Sequence, residues 1–259
     1  MTIVKRLYVM LCGYEILPRT VCTRGSGAEF VMSLPISAYL IETTKGFIVF
    51  DTGINAEVLR DPVLRHRHYT SVGTDPAPVV WAQHEMKRYF SAIGIGFDDV
   101  GDVILSHLHI DHAGNLRHFR KARFWVQRDE HMHAFAPVTP PAYLKDDYDL
   151  PDAEWKIIEG DHVLDDGITI LSTPGHTPGH QSALIELPKS GPALLVADVG
   201  DLMENFEQEI LPGQASDDAK ALASIRKINR IRNERNAMMF LCHDPNLIQA
   251  TRLAPGFYE

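Results

Sequence analysis

The chain has 259 residues, and its 45% hydrophobic and 23% charged content excludes a disordered, collagen-like or coiled-coil protein. A net charge of −9 opposes the phosphate attraction on which nucleic-acid binding depends, and no segment approaches the ~20 apolar residues that a membrane span needs. The N-terminal segment lacks a signal-peptide pattern, and 3 cysteines without framework spacing do not indicate a secreted domain, so we expect a cytoplasmic protein with no membrane or nucleic-acid partner.

Short apolar runs bounded by turn residues dominate the chain. They predict strands at 7–11, 38–42, 47–50, 103–106, 123–127, 168–172, 182–187, 193–197 and 238–242. Helical periodicity is best at 80–93 and 217–233, and the proline-containing stretches 55–79 and 134–155 predict insertions or lids. Because no repeat or linker divides the chain, we expect one α/β domain over residues 1–259.

Residues that can bind a metal or take part in catalysis follow the predicted strands. The strand ends are continued by Asp51, His107, His176, Asp198 and His243. Strand ends can converge on one edge of a sheet, where a rigid scaffold commonly presents a site on its loops.

The densest group of possible metal ligands follows the strand 103–106. Since side chains alternate in extended backbone, His107 and His109 point the same way and can chelate one cation. Asp111 and His112 lie past the turn and can hold a second cation. Imidazole and carboxylate ligands suit zinc and related divalent ions.

The run His107-x-His109-x-Asp111-His112 resembles the signature of the metallo-β-lactamase superfamily. The rest of that pattern follows the same order along the chain: Asp51-Thr52-Gly53, Thr173-Pro174-Gly175-His176-Thr177-Pro178-Gly179-His180, Asp198 and His243. The resemblance covers roughly residues 35–245. It implies an αββα sandwich with a dinuclear metal site at the edge of the two sheets.

The resemblance also implies a role for each matching residue. The first metal would be held by His107, His109 and His176, the second by Asp111, His112 and His243, and Asp198 would bridge both. Asp51 is expected to accept a hydrogen bond from a ligand histidine and so fix its tautomer. His180 matches no ligand position, so we expect a supporting role for it. Two divalent ions, with zinc as the default, are the expected cofactors.

Such a site predicts hydrolysis, because two cations sharing a water would provide a hydroxide nucleophile at neutral pH. Esters, lactones, thioesters and amides are all accessible to it. We expect Asp111 to take up the nucleophile's proton and to protonate the leaving alkoxide.

Several segments resemble the N-acyl-homoserine lactonase branch of the superfamily. These are Tyr8-x-Met10-x-Cys12-Gly13, the insertion after Asp51 and Asn205-Phe206-Glu207. The resemblance implies a quorum-quenching enzyme that opens the lactone ring of a small-molecule substrate, and it favours a homodimer. Alternatives are another lactonase, for example one for small γ-lactones, a thioesterase resembling glyoxalase II, and a metal-buffering protein without turnover.

One departure from the lactonase pattern concerns the third residue after Asp198. Those lactonases usually carry a tyrosine there, whose phenol binds the substrate carbonyl, whereas this chain has Asp201. Three solutions are open: a lid tyrosine such as Tyr69, Tyr143 or Tyr148 takes the role, the metals alone stabilise the oxyanion, or the substrate differs.

Overall fold

Two stacked β-sheets with helices on both outer faces form the computed structural model, which describes residues 2–259. The strands are β1 (Val4–Pro18), β2 (Val31–Thr43), β3 (Gly46–Phe50), β4 (Val100–Ile104), β5 (Arg123–Gln127), β6 (Glu154–Ile158), β7 (His162–Asp165), β8 (Ile168–Ser172), β9 (Gln181–Leu187), β10 (Gly191–Leu195) and β11 (Met238–Phe240). The helices are α1 (Ala56–Arg60), α2 (Pro62–His68), α3 (Met86–Ile93), α4 (Arg128–Ala134), α5 (Lys145–Tyr148), α6 (Met203–Gln208), α7 (Asp218–Arg235) and α8 (Pro245–Ala250). Along residues 2–259, no helix combines the length and apolarity needed to cross a membrane.

The first sheet has 6 strands in the order β1-β2-β3-β4-β5-β6, and the second has 5 in the order β11-β10-β9-β8-β7. Strands β1 to β3 pair antiparallel, whereas β3 to β6 pair parallel. In the second sheet only the β10–β11 pair is parallel. The parallel strands β3 and β4 therefore end at the same edge, where the loops that follow them meet.

Strand β1 shows how the sequence builds the two layers. Leu7, Val9 and Leu11 face the second sheet and are buried between the sheets, while Tyr8 and Met10 face the opposite layer. The two-residue alternation of side chains in extended backbone produces this division. From Leu7 to Gly13 both faces of β1 are buried, so this part of the strand contains no charged residue.

Helix α7 covers the outer face of the second sheet. Asp217 caps its first turn by accepting a hydrogen bond from the backbone N–H of Lys220. Ile225 and Ile228 are fully buried against this sheet beside Leu194. Helices α1 and α3 pack in the same way on the first sheet, so the αββα sandwich expected from the sequence is confirmed.

The predicted elements mostly fall on observed ones, with two corrections. Each predicted strand overlaps an observed strand, and the helix expected at 217–233 is α7. The helix expected at 80–93 begins only at Met86, because Val79 pairs with Tyr14 of β1 through two backbone hydrogen bonds. Strands β6 and β7 were missed because their partly exposed, polar sequences lack an apolar run. The stretches 55–79 and 134–155 contain α1, α2 and α5, and the expectation that they are insertions or lids stays a prediction.

Candidate metal centre

Loops from both sheets meet at one edge of the sandwich. The segment after β4, the loop between β8 and β9, and the residues that follow β10 and β11 all reach this point. Together they bring close the seven residues that the sequence nominated as ligands: His107, His109, Asp111, His112, His176, Asp198 and His243.

One group of possible ligand atoms contains three imidazoles. His109 Nδ1 lies 2.9 Å from His107 Nε2 and 3.1 Å from His176 Nε2. Asp198 Oδ2 completes the group at 3.3 Å from His176 Nε2 and 3.8 Å from His107 Nε2. Three nitrogens and one carboxylate oxygen at such spacing fit a single small cation.

The second group lies on the other side of Asp198. His112 Nε2 is 3.2 Å from Asp111 Oδ2 and 3.3 Å from Asp198 Oδ1. His243 Nε2 is 3.5 Å from Asp111 Oδ2 and 3.3 Å from Asp198 Oδ1. The two carboxylate oxygens of Asp198 thus belong to different groups, which is the arrangement that a bridging ligand requires.

Unpaired polar atoms at the centre fit cations at these positions. Among the described residues, His112 Nε2 and Asp198 Oδ1 are buried and have no hydrogen-bond partner. A buried unpaired polar atom is costly, and such atoms ordinarily meet a partner, a water or an ion. The residues present therefore fit a pair of divalent cations.

The charge distribution leads to the same conclusion. Burial, reinforced by neighbouring imidazoles, holds the pKa of His107 and of His109 well below the usual value, so both rings are neutral, as metal ligands must be. Burial opposes charge on His243 as well, but Asp198 and Asp111 outweigh it and raise its pKa to about 10. Without a metal, protons on histidines balance the buried carboxylates; a divalent cation could replace them.

The rings of the possible ligands are oriented by the surrounding chain. Asp51, fully buried after β3, accepts a hydrogen bond from His112 Nδ1 at 2.8 Å and another from the Ser106 backbone N–H at 2.7 Å. His107 Nδ1 donates to Ser106 Oγ at 2.9 Å, and His243 Nδ1 donates to the Pro35 carbonyl at 2.8 Å. Each of these contacts leaves the opposite ring nitrogen directed at the centre.

His180 lies behind Asp198 and outside both groups. Its Nε2 accepts a hydrogen bond from the Asp198 backbone N–H at 3.1 Å, and its Nδ1 donates to the Thr173 carbonyl at 3.1 Å. Burial lowers the pKa of this imidazole to about 3, so it stays neutral. The contact positions the backbone of Asp198.

Sequence reasoning missed Glu130, a fully buried carboxylate at the start of α4. Its Oε1 accepts hydrogen bonds from the Leu108 backbone N–H at 2.9 Å and from the Tyr143 hydroxyl at 2.7 Å. Its Oε2 accepts from Thr177 Oγ1 at 2.5 Å. Glu130 thus ties together two loops that carry possible ligands. Its neighbours Arg128 and Asp129 are polar, so the local sequence suggests a solvated helix start.

Replacing Glu130 by glutamine is expected to destabilise the protein by about 1–3 kcal/mol, because one of the three donors then faces an amide NH₂ in a buried position. Urea unfolding and metal content measure the effect. Glu159→Gln, which removes a surface ion pair with Arg128, is the control and should change little. Equal stability of the two variants would contradict the assigned role of Glu130.

The residues named for the missing tyrosine have different surroundings. The Tyr143 hydroxyl is taken by Glu130, and the Tyr148 hydroxyl donates to the Ala134 carbonyl at 2.8 Å. Tyr69 has a buried hydroxyl with no hydrogen-bond partner among residues 2–259. Asp201 is 7% exposed, and burial together with the charge of Asp198 raises its pKa to about 7.

Comparison with known protein families agrees with this geometry. The family model of the metallo-β-lactamase superfamily matches residues 32–243, which include all seven possible ligands. The chain belongs to the metallo-β-lactamase superfamily. Its αββα sandwich is the metallo-β-lactamase fold, as the sequence motifs predicted.

Curated relatives within the superfamily are N-acyl homoserine lactonases. The chain is 34% identical to one from Bacillus sp. over 98% of this chain and 99% of that protein. It is 33% identical to the N-acyl homoserine lactonase AttM of Azorhizobium caulinodans over 91% of both chains. A solved N-acyl homoserine lactone hydrolase, with the product N-hexanoyl-L-homoserine at its catalytic metal centre, superposes with a TM-score of 0.88 at 32% identity over 100% of both chains. The predicted resemblance to this branch of the superfamily is confirmed.

Proposed function

We propose that this protein is a dinuclear metal hydrolase that opens the lactone ring of N-acyl-homoserine lactones and so quenches quorum signals. The observation that carries the proposal is the division of Asp198 between two groups of ligand atoms, with Oδ2 facing one and Oδ1 facing the other. The lactonase relatives, which match nearly the whole chain, support the choice of substrate.

The ligand assignment follows the two groups. One ion would be held by His107, His109 and His176, the other by Asp111, His112 and His243, with Asp198 shared. Bound divalent ions would activate water at neutral pH and polarise the substrate carbonyl. Zinc is the ion we propose, because its preference for imidazole and carboxylate ligands matches this set.

Two carboxylates have further proposed roles. The pKa of Asp111 is about 2, because the charges of His112 and His243 outweigh the effect of burial. An ionised Asp111 can accept a proton when water is activated. It can then pass this proton to the alkoxide oxygen that forms when the ring C–O bond breaks. Asp51 holds the ring of His112 in the tautomer whose Nε2 is free to bind a metal.

Both sheets contribute to the site, since His107 follows β4 of the first sheet and Asp198 follows β10 of the second. We therefore propose that residues 1–259 act as one hydrolase domain. We also propose a cytoplasmic location, supported by the three buried free thiols of Cys12, Cys22 and Cys242. A homodimer is proposed on the general frequency of symmetric pairs, and sedimentation velocity tests it.

The first experiment follows proton release from N-hexanoyl-homoserine lactone by metal-replete and chelator-stripped protein. We expect acid release well above background only from the metal-replete protein, and its recovery when zinc is added back. In a parallel assay, thiol release from a glutathione thioester tests the thioesterase alternative. Asp201 stands where the lactonases usually carry a tyrosine, and this difference favours the thioesterase alternative or a different lactone. Thiol release without acid release from the lactone would overturn the proposed function.

A further inference from the structure

Asp147, in α5, is a buried carboxylate that belongs to neither group of possible ligand atoms. Its Oδ1 accepts hydrogen bonds from the side-chain amide of Asn55 at 2.7 Å and from the guanidinium of Arg117 at 2.9 Å, while Oδ2 has no partner within residues 2–259. Burial raises the pKa of Asp147 to about 6, although both partners lower it. Apolar residues often replace a buried ion pair without loss of stability, so folding alone does not account for this carboxylate.

The two donors to Asp147 come from the two chain segments that orient the ring of His112. Asn55 ends residues 51–55, which we call the Asp51 segment, and Arg117 ends residues 112–117, which we call the His112 segment. At the other ends of these segments, His112 Nδ1 donates to Asp51 at 2.8 Å. The contacts of Asp147 therefore join the far ends of two segments whose near ends form this pair.

Hydrogen bonds also cross between the two segments along their length. The His112 carbonyl accepts from the Thr52 backbone N–H at 2.7 Å and from Thr52 Oγ1 at 2.9 Å. The Gly114 N–H donates to the Gly53 carbonyl at 2.8 Å, and the Asn115 side-chain amide donates to the Thr52 carbonyl at 2.6 Å. A shift of one segment against the other would strain every one of these bonds, including the one between Asp51 and His112.

Asn55 is held so that its amide faces Asp147. The side chain is 2% exposed, and its Oδ1 caps α1 by accepting from the backbone N–H groups of Glu57 at 3.1 Å and Val58 at 3.2 Å. This leaves the NH₂ group to donate to Asp147. Arg117 approaches the same oxygen from the other segment, so a single acceptor atom fixes the distance between the two segment ends.

We propose that Asp147 is a positioning residue for the metal centre, which holds the Asp51 segment and the His112 segment in register and so fixes the ring of His112. This inference rests on the proposed function, which assigns His112 to the second ion. Loss of contacts that orient a ligand commonly costs 10–100-fold in metal affinity. The other ion, assigned to ligands outside both segments, should not depend on Asp147.

The first test measures the two stepwise dissociation constants of zinc by competition with a chelator. In Asp147→Ala we expect one constant to rise about 10–100-fold and the other to stay close to its wild-type value. Asp147→Asn keeps an oxygen that accepts both hydrogen bonds and should restore the weakened ion. In a His243→Ala background, which removes a proposed ligand of the second ion, Asp147→Ala should leave the remaining constant unchanged and so identify the weakened ion.

Asp102→Ala is the matched control, because Asp102 is also a buried carboxylate that binds an arginine, Arg123, at 2.8 Å and 2.7 Å. It should lower Tm and leave both zinc constants unchanged. If Asp147→Ala does not fold, Arg117→Ala removes one of the two contacts from a side chain that is 34% exposed, and the same ion should weaken. Two equally weakened ions, two unchanged ions, or no recovery in Asp147→Asn would overturn the role of Asp147.

Amide hydrogen exchange of the metal-free protein supplies a readout that needs no ion. The N–H groups of Thr52 and Gly114, which donate between the two segments, should exchange at least about 10-fold faster in Asp147→Ala than in Asp102→Ala. If wild type does not bind two ions, the ligand assignment of the proposed function fails, and this comparison decides the role of Asp147. Equal exchange rates in the two variants would then overturn it.

Discussion

The Asp198→Asn variant is expected to lose bound metal and to hydrolyse lactone at least about 100-fold more slowly than wild type. Oδ1 of Asp198 lies 3.3 Å from both His112 Nε2 and His243 Nε2, while Oδ2 lies 3.3 Å from His176 Nε2. Asparagine keeps the shape but replaces one oxygen by an NH₂ group, which cannot bind a cation. It also removes a negative charge from a buried site. Loss of supporting contacts alone commonly costs 10–100-fold in affinity or activity, and loss of a shared ligand should cost more.

Metal content per chain, measured by elemental analysis beside lactone turnover, tests this expectation. Asp201→Asn is the matched control, because Asp201 is a buried carboxyl three positions further on and lies outside both groups. It should retain two ions per chain. Two ions and near-normal turnover in Asp198→Asn would contradict the bridging assignment.

Gly114→Ala is expected to destabilise the protein by about 3 kcal/mol or more, because the added methyl group meets backbone that cannot move aside cheaply. A Cβ at Gly114 would lie 2.3 Å from the backbone nitrogen of Asn55 and 2.8 Å from the carbonyl oxygen of Gly53. The Gly114 N–H also donates to the Gly53 carbonyl at 2.8 Å. This contact packs the loop of His112 against the loop of Asp51, so misplacing it should also weaken metal binding.

Urea unfolding with and without zinc measures both consequences. Gly101→Ala is the control: Gly101 lies in β4, and a Cβ there would have no heavy atom of residues 2–259 within 4 Å, its chain neighbours aside. Its stability should change by less than about 0.5 kcal/mol. Similar stabilities of the two alanine variants would show that the two loops do not depend on this close approach.

The sequence by itself determined the layers and the ligand candidates. Strands such as β1 are visible because burial on both faces requires continuous apolar residues, and the polar sequences of β6 and β7 leave no comparable signal. Motifs such as His107-x-His109-x-Asp111-His112 are local, so their residue types and spacing can be recognised from the sequence alone. Their roles as metal ligands stay predictions until ions are measured.

Only the tertiary structure decided which atoms meet. Asp198 serves two groups because loops from separate sheets converge on it, and Glu130 joins two ligand loops from a helix that looks solvated in sequence. The sequence likewise did not distinguish Tyr69, Tyr143 and Tyr148. The structure does, because their hydroxyls have different hydrogen-bond partners. Hydrogen bonds between residues far apart along the chain depend on donor–acceptor distances within a few tenths of an ångström and on favourable angles. Local sequence patterns do not encode this geometry.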